Sequence, residues 1–187
     1  MATNKYLIDS PTGSNKACQG LQLAFSDSLP WLQLAYGEAF RNTRIVEGKQ
    51  EYYPAIYTGS GEYVELVPDQ IGGNYVFFYI ESPENYNILA KGKQLDAFVN
   101  AVFFADLRIV RPLATHRPTA EMKDDILSVL NSQYSPDYAI NQNESVQIFD
   151  RFEDVFTEYS YNEMSQIPNM SEFAVMRVRF NITANNC

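Results

Sequence analysis

The chain has 187 residues, with 23 Asp and Glu against 14 Lys and Arg and a net charge of −9. That length suits one domain, and 45% apolar with 20% charged residues excludes a disordered composition. The negative balance argues against a protein that grips nucleic acid, and no apolar run approaches the ~20 residues of a membrane span.

The N-terminal stretch lacks a basic segment followed by an apolar run, so no secretory signal is expected. The cysteines are Cys18 and Cys187, without a CxxC spacing, and a soluble protein of a reducing cytoplasm is the expectation. Charge is unevenly placed. Residues 121–170 hold ten acids and two bases, which is −8 of the −9. Such a run is either solvated helix surface or a deliberately negative face. The 13 Tyr and 12 Phe suit a β-rich core and also half-wet intersubunit contacts, since a tyrosine ring buries area while its hydroxyl stays hydrated.

In chain order, residues 1–20 read as an N-terminal arm around Ser10-Pro11-Thr12-Gly13, and residues 21–187 as a single domain. Ser28 and Pro30 suit a helix start, and Leu32, Tyr36, Ala39 and Phe40 recur at helical spacing, so a helix is predicted to end near 41–44. Pro54–Thr58 and Tyr63–Val67 flank a four-residue loop with two glycines, which predicts a hairpin. Tyr75–Ile80 reads as a strand buried on both sides, and 81–94 as an exposed, mobile loop. Over 95–110 both periods fit, but Val99, Ala101, Phe103, Ala105, Leu107 and Ile109 alternate, so a strand is expected. Thr119 caps a helix with Met122, Ile126, Val129 and Leu130 as its apolar stripe. A further amphipathic segment turns Phe149, Phe152, Phe156 and Tyr159 inward and Asp150, Glu153, Asp154 and Glu158 outward. Alternation from Ala174 to Thr183 predicts a long final strand. Together these predict an α+β fold: an antiparallel sheet of about four to five strands with helices packed on one face, an N-terminal helix and a long C-terminal strand.

No pattern asks for catalysis. His116 is the sole histidine and has no nucleophile elbow beside it. Gly59-Ser60-Gly61 and Gly72-Gly73 read as turns, because no phosphate-loop or dinucleotide signature follows them. The acids Asp124, Asp125, Glu153, Asp154 and Glu163 read as the wet side of helices. No catalytic residue, metal site or cofactor is therefore expected.

The order of elements, with Tyr53-Pro54-Ala55-Ile56-Tyr57, the strand through Phe103-Phe104, the helix at 119–131 and the strand at 173–183, resembles the bacteriophage tail-terminator and head–tail neck ring proteins. The resemblance implies a homo-oligomeric ring with head-to-tail contacts around a DNA channel. Other virion neck or tail proteins would be its partners, DNA would pass without specific binding, and no membrane would be involved. The protein would sit in the host cytoplasm during assembly and afterwards in the virion. Channel-facing acids would be Asp150, Glu153, Asp154 and Glu158, and intersubunit contacts Tyr57, Tyr63, Tyr86, Arg177 and Arg179. A small acidic adaptor and a DNA-mimic inhibitor remain as alternatives, with a hydrolase behind both.

Overall fold

A computed structural model describes residues 2–66, 72–89, 92–132, 135, 138–160 and 172–185. The strands are β1 (Thr3–Asn4), β2 (Leu34–Val46), β3 (Lys49–Gly59), β4 (Glu62–Glu65), β5 (Tyr75–Ile80), β6 (Asn85–Leu89), β7 (Gly92–Asp106), β8 (Tyr138–Ile140), β9 (Gln147–Phe149) and β10 (Phe173–Asn185). The helices are α1 (Gly13–Ser28), α2 (Leu107–Val110), α3 (Thr119–Ser132) and α4 (Phe152–Val155).

All ten strands join one sheet in the order β4-β3-β2-β5-β7-β10-β8, with β1 on β2, β6 on β7 and β9 on β10. The sheet is mixed: β2 runs parallel to both β1 and β5, and the other pairs are antiparallel. This corrects the expected antiparallel sheet of about four to five strands. The missed strands were β2, read as helix, and the short edge strands β1, β6, β8 and β9, too brief to show a period.

The centre is the β7–β10 pair, in unbroken antiparallel register from Phe173 opposite Asp106 to Asn185 opposite Gln94. Its first face carries Val99, Ala101 and Phe103 of β7 with Met176, Val178 and Phe180 of β10. Helices α1 and α3 cover it. Ala17, Leu21 and Phe25 of α1 fall on one stripe, and Met122, Ile126, Val129 and Leu130 of α3 form the stripe read from the sequence. Phe25 meets Phe103 edge-on at 5.3 Å, and Trp31 lies at 6.2 Å from the same ring.

The second face is buried too. Tyr75, Phe77, Val102, Phe104 and Val175 lie beneath residues 147–160, a strap that starts on β10 and crosses to β3. Val155, Phe156 and Tyr159 point down into this layer, and the Ser160 N–H closes the crossing on the Tyr52 carbonyl at 2.8 Å. Phe149, Phe152, Phe156 and Tyr159 do face inward as expected, but from a strand and a single helical turn rather than one helix.

Four local readings change for physical reasons. Residues 29–44 are loop and β2, not helix, and Ser28 ends a helix instead of starting one. The β2–β5 register breaks between Ala35 and Glu38, and this bulge puts Tyr36 and Ala39 in the same buried layer, three apart, which imitates a helical period. The first helix instead lies at Gly13–Ser28 and begins inside the stretch read as an arm; its buried stripe is short and interrupted by Gln22 and Ser26. Residues 81–94 include β6 and the start of β7, a hairpin rather than a loop. The strand through Phe103 ends at Asp106, whose carboxylate accepts the Arg108 N–H at 2.9 Å and opens the short helix α2.

Phe103 stands at the junction of both helices' cover and the central pair. Phe103→Ala is expected to cost about 3–5 kcal/mol in chemical denaturation followed through Trp31 fluorescence, whereas Thr43→Ala on the outer part of β2 should stay within about 0.5 kcal/mol.

Candidate functional site: an aromatic cleft and two ribbons

The bulge in β2 does more than confuse a pattern. By shifting the alternation it turns Glu38 toward α1 instead of the strap layer, a re-aiming that bulges commonly perform. Ser14 of α1 donates a hydrogen bond to the Glu38 carboxylate, while Oε2 is buried with no hydrogen-bond partner. Burial raises the Glu38 pKa from 4.5 to about 7, against the Ser14 hydrogen bond and with a further upward push from Glu84.

Around Glu38 opens a cleft of about 200 Å³, lined by Tyr6, Phe40, Ile56, Tyr57 and Tyr63 among others. Five stretches of chain meet there: the N-terminal segment, α1, β2, β3 and β4. The walls are fixed in place. Gln19 of α1 accepts the Ile8 N–H at 2.7 Å and donates to the Ile8 carbonyl at 3.1 Å, which pins the N-terminal segment on the helix. Gln22 donates to the carbonyls of Lys5 and Ala35 at 2.9 and 2.7 Å and so joins the same segment to β2. Tyr6 stacks on Tyr36, and the rings of Tyr57 and Tyr63 face each other across the β3–β4 hairpin at 5.2 Å.

Two ribbons leave the body of the sheet. Beyond Glu38, β2 has β3 as its one strand partner among the described residues, and the turn at Glu47-Gly48 lies at the end of this ribbon. Toward its far end Arg44 is bonded to Glu65 at 3.0 Å and Glu51 at 3.3 Å, while the adjacent Ile45 is 79% exposed. The second is the β6–β7 hairpin, a free ribbon only at its end, because Gln94 to Asp96 of β7 also pair with β10 and the rungs Ile88–Lys93 and Leu89–Gly92 project beyond them. There Tyr86 and Leu89 are exposed and Ile88 is 85% exposed.

The residues singled out from sequence fall into separate places. Tyr57 and Tyr63 line the cleft, and Tyr86 lies on the second ribbon with its hydroxyl donating to Glu84 at 2.6 Å. Arg177 is 8% exposed; it lies over the Phe149 ring at 4.0 Å and donates to the Tyr79 hydroxyl at 3.3 Å. Arg179 donates to both oxygens of Glu81 at 2.7 and 2.8 Å and covers the Phe98 ring. That forked pair holds the Glu81 carboxyl below its usual range. Of the four acids, Asp150 accepts from Lys123 at 2.7 Å, Glu158 lies 3.9 Å from Arg41, and Glu153 is exposed on α4. Asp154 is half-buried on the same turn. His116 is exposed and contacts Glu121.

Sequence reasoning missed Glu38. Its signal was Gly37 followed by a lone acid amid aromatics, which gained meaning only once the bulge was located. Among the described residues, no group of three His, Cys, Asp or Glu is placed to hold a metal ion, and no helix is long and apolar enough to cross a membrane. Comparison with protein-family models and with curated proteins finds no match.

The Glu38 environment sets a pH signature. Below about pH 4.5 the residue is protonated in both the folded and unfolded chains; between 4.5 and about 7 the unfolded chain ionises while the folded one holds its proton. Its contribution to stability is therefore lost as pH rises through that window and is constant above it. Glu38→Gln is expected to melt higher than the parent at pH 8 and to lose that advantage toward pH 4.5, read from thermal unfolding across the range.

Proposed function

We propose that this protein is a structural subunit that works by assembling with other chains, and that its assembly is an oligomeric ring of a phage head–tail junction. The observation that carries the reading is the β2–β3 ribbon. The strap holds this ribbon at Tyr52 and Arg44 holds it to Glu65, but its end around Ile45 and the Glu47-Gly48 turn projects past these ties, and a two-stranded end that exposes a large apolar side chain gains stability once a neighbour covers it. A ribbon reaching from one subunit onto a different surface of the next makes a head-to-tail contact, which closes into a ring when the rotation allows.

Other features support the same reading. The hairpin that opens on Pro54, the strand through Phe103, the helix Thr119–Ser132 and the long strand Phe173–Asn185, on which the resemblance rests, follow in that order along the chain. The acids Asp150, Glu153, Asp154 and Glu158 lie on the strap and are the proposed lining of a bore through which DNA passes without adhering. Like charge repels phosphate and offers no gain from counterion release. Tyr57, Tyr63 and Tyr86 are exposed and are the proposed intersubunit contacts.

The test is solution mass by light scattering across concentration, with negative-stain images of the same samples. Closed rings are expected for the parent, and Ile45→Asp should shift the mass to a single chain while leaving the unfolding transition within about 0.5 kcal/mol. A single-chain mass for the parent at every concentration, with a 1:1 complex as its largest assembly, would place it as a monomeric adaptor instead.

A further inference from the structure

The Glu38 cleft has a chemistry that ring closure does not require. We propose that it binds a cationic side chain, a lysine or arginine presented by a partner protein, with Glu38 as the counter-charge and the surrounding aromatic side chains as the walls. Three independent features of the cleft converge on this ligand. Glu38 Oε2 is buried without a partner, an arrangement that costs stability unless something arrives to satisfy it. The lining is aromatic, with Tyr6, Phe40, Tyr57 and Tyr63 drawn from four separate stretches of chain, and aromatic faces attract cations through their quadrupole. Neighbouring Glu84 adds a second negative charge to the field at Glu38.

The occupant's size follows from the volume. At about 200 Å³ the cleft is smaller than the roughly 300–1,000 Å³ usual for small-molecule sites, which suits one side chain. Tyr57 and Tyr63, which line it, are themselves 45% and 50% exposed, so an inserted side chain has an open approach. A chain of net charge −9 also draws basic partners by long-range attraction. A neutral aliphatic side chain would leave Oε2 unsatisfied, and an acidic one would meet the Glu38 carboxylate in a field already made more negative by Glu84.

The experiment uses the full chain and two probes, n-butylammonium and N-acetylarginine amide, with n-butanol as the neutral control, followed by amide chemical shifts of Gly37 to Phe40. At least one cationic probe is expected to saturate these shifts and to bind about tenfold or more tightly than n-butanol, a difference of about 1.4 kcal/mol. Glu38→Gln should lose that factor. Tyr57→Ala, at a position 45% exposed, should weaken the cations more than n-butanol. Failure of both cations to saturate, equal affinity for n-butanol, or a Glu38→Gln variant that binds the cations as the parent does would each overturn the proposal. The result is separable from the ring reading, because Ile45→Asp should bind the probes as the parent does even where it no longer assembles.

Discussion

Everything in this molecule depends on a central strand pair that is buried on both sides. Residues 92–106 and 173–185 are zipped along their whole paired length, and neither face of that pair can be left to water. A β-pair with one wet face needs a single cover. This one needs two, and the chain supplies them by different means. Helices α1 and α3 close one side with regular stripes. The other side is closed by irregular backbone, the strap at 147–160, which must satisfy its own peptide groups as it crosses. It does so by pairing with β10 at its start and bonding to Tyr52 of β3 at its end. The two ends of the strap thus tie opposite parts of the sheet together.

That two-sided burial also explains which elements were legible in the sequence. Tyr75–Ile80, the strand through Phe103 and the final strand were readable because their apolar content is dense, and helix α3 because its stripe is clean. The β3–β4 hairpin was readable from its glycines. Legibility failed where regular alternation failed. Helix α1 buries Ala17 and Cys18 where a strong stripe would show large residues, and it spends Gln22 and Ser26 on bonds to other segments. Strand β2 changes face at its bulge. The mixed sheet itself follows from β2 lying parallel to β5, a tertiary choice with no local signature.

The same bulge links the error to the candidate site. A strand that alternates strictly from Tyr36 would send Glu38 into the strap-side core among Phe77 and Phe104. The shift sends it toward α1, beside Ser14, at the mouth of a cleft. The residue that made the segment unreadable as a strand is therefore the one that positions the acid. Conflicts between local pattern and final structure concentrate at functional places, because there a sequence is selected for something other than folding.

The contrast between the two buried ionic groupings sharpens this. Glu81 on the strap side has Arg179 in a forked pair, a hydrogen bond from Asn100, and a depressed pKa as the consequence. Arg177 beside it rests on an aromatic ring and two polar oxygens. That network leaves Arg177 Nε buried without a hydrogen-bond partner, but its charges are balanced within one chain. Among the described residues Glu38 has no cation beside it: it has one hydroxyl for company, a second carboxylate nearby, a buried oxygen with nothing to bind, and an opening to solvent lined by aromatic side chains. Were its role only to hold β2 against α1, a glutamine would serve better, since it carries no charge to desolvate and can donate as well as accept. A glutamate at that position costs stability at neutral pH, and the most economical explanation is that the missing charge comes from outside the chain.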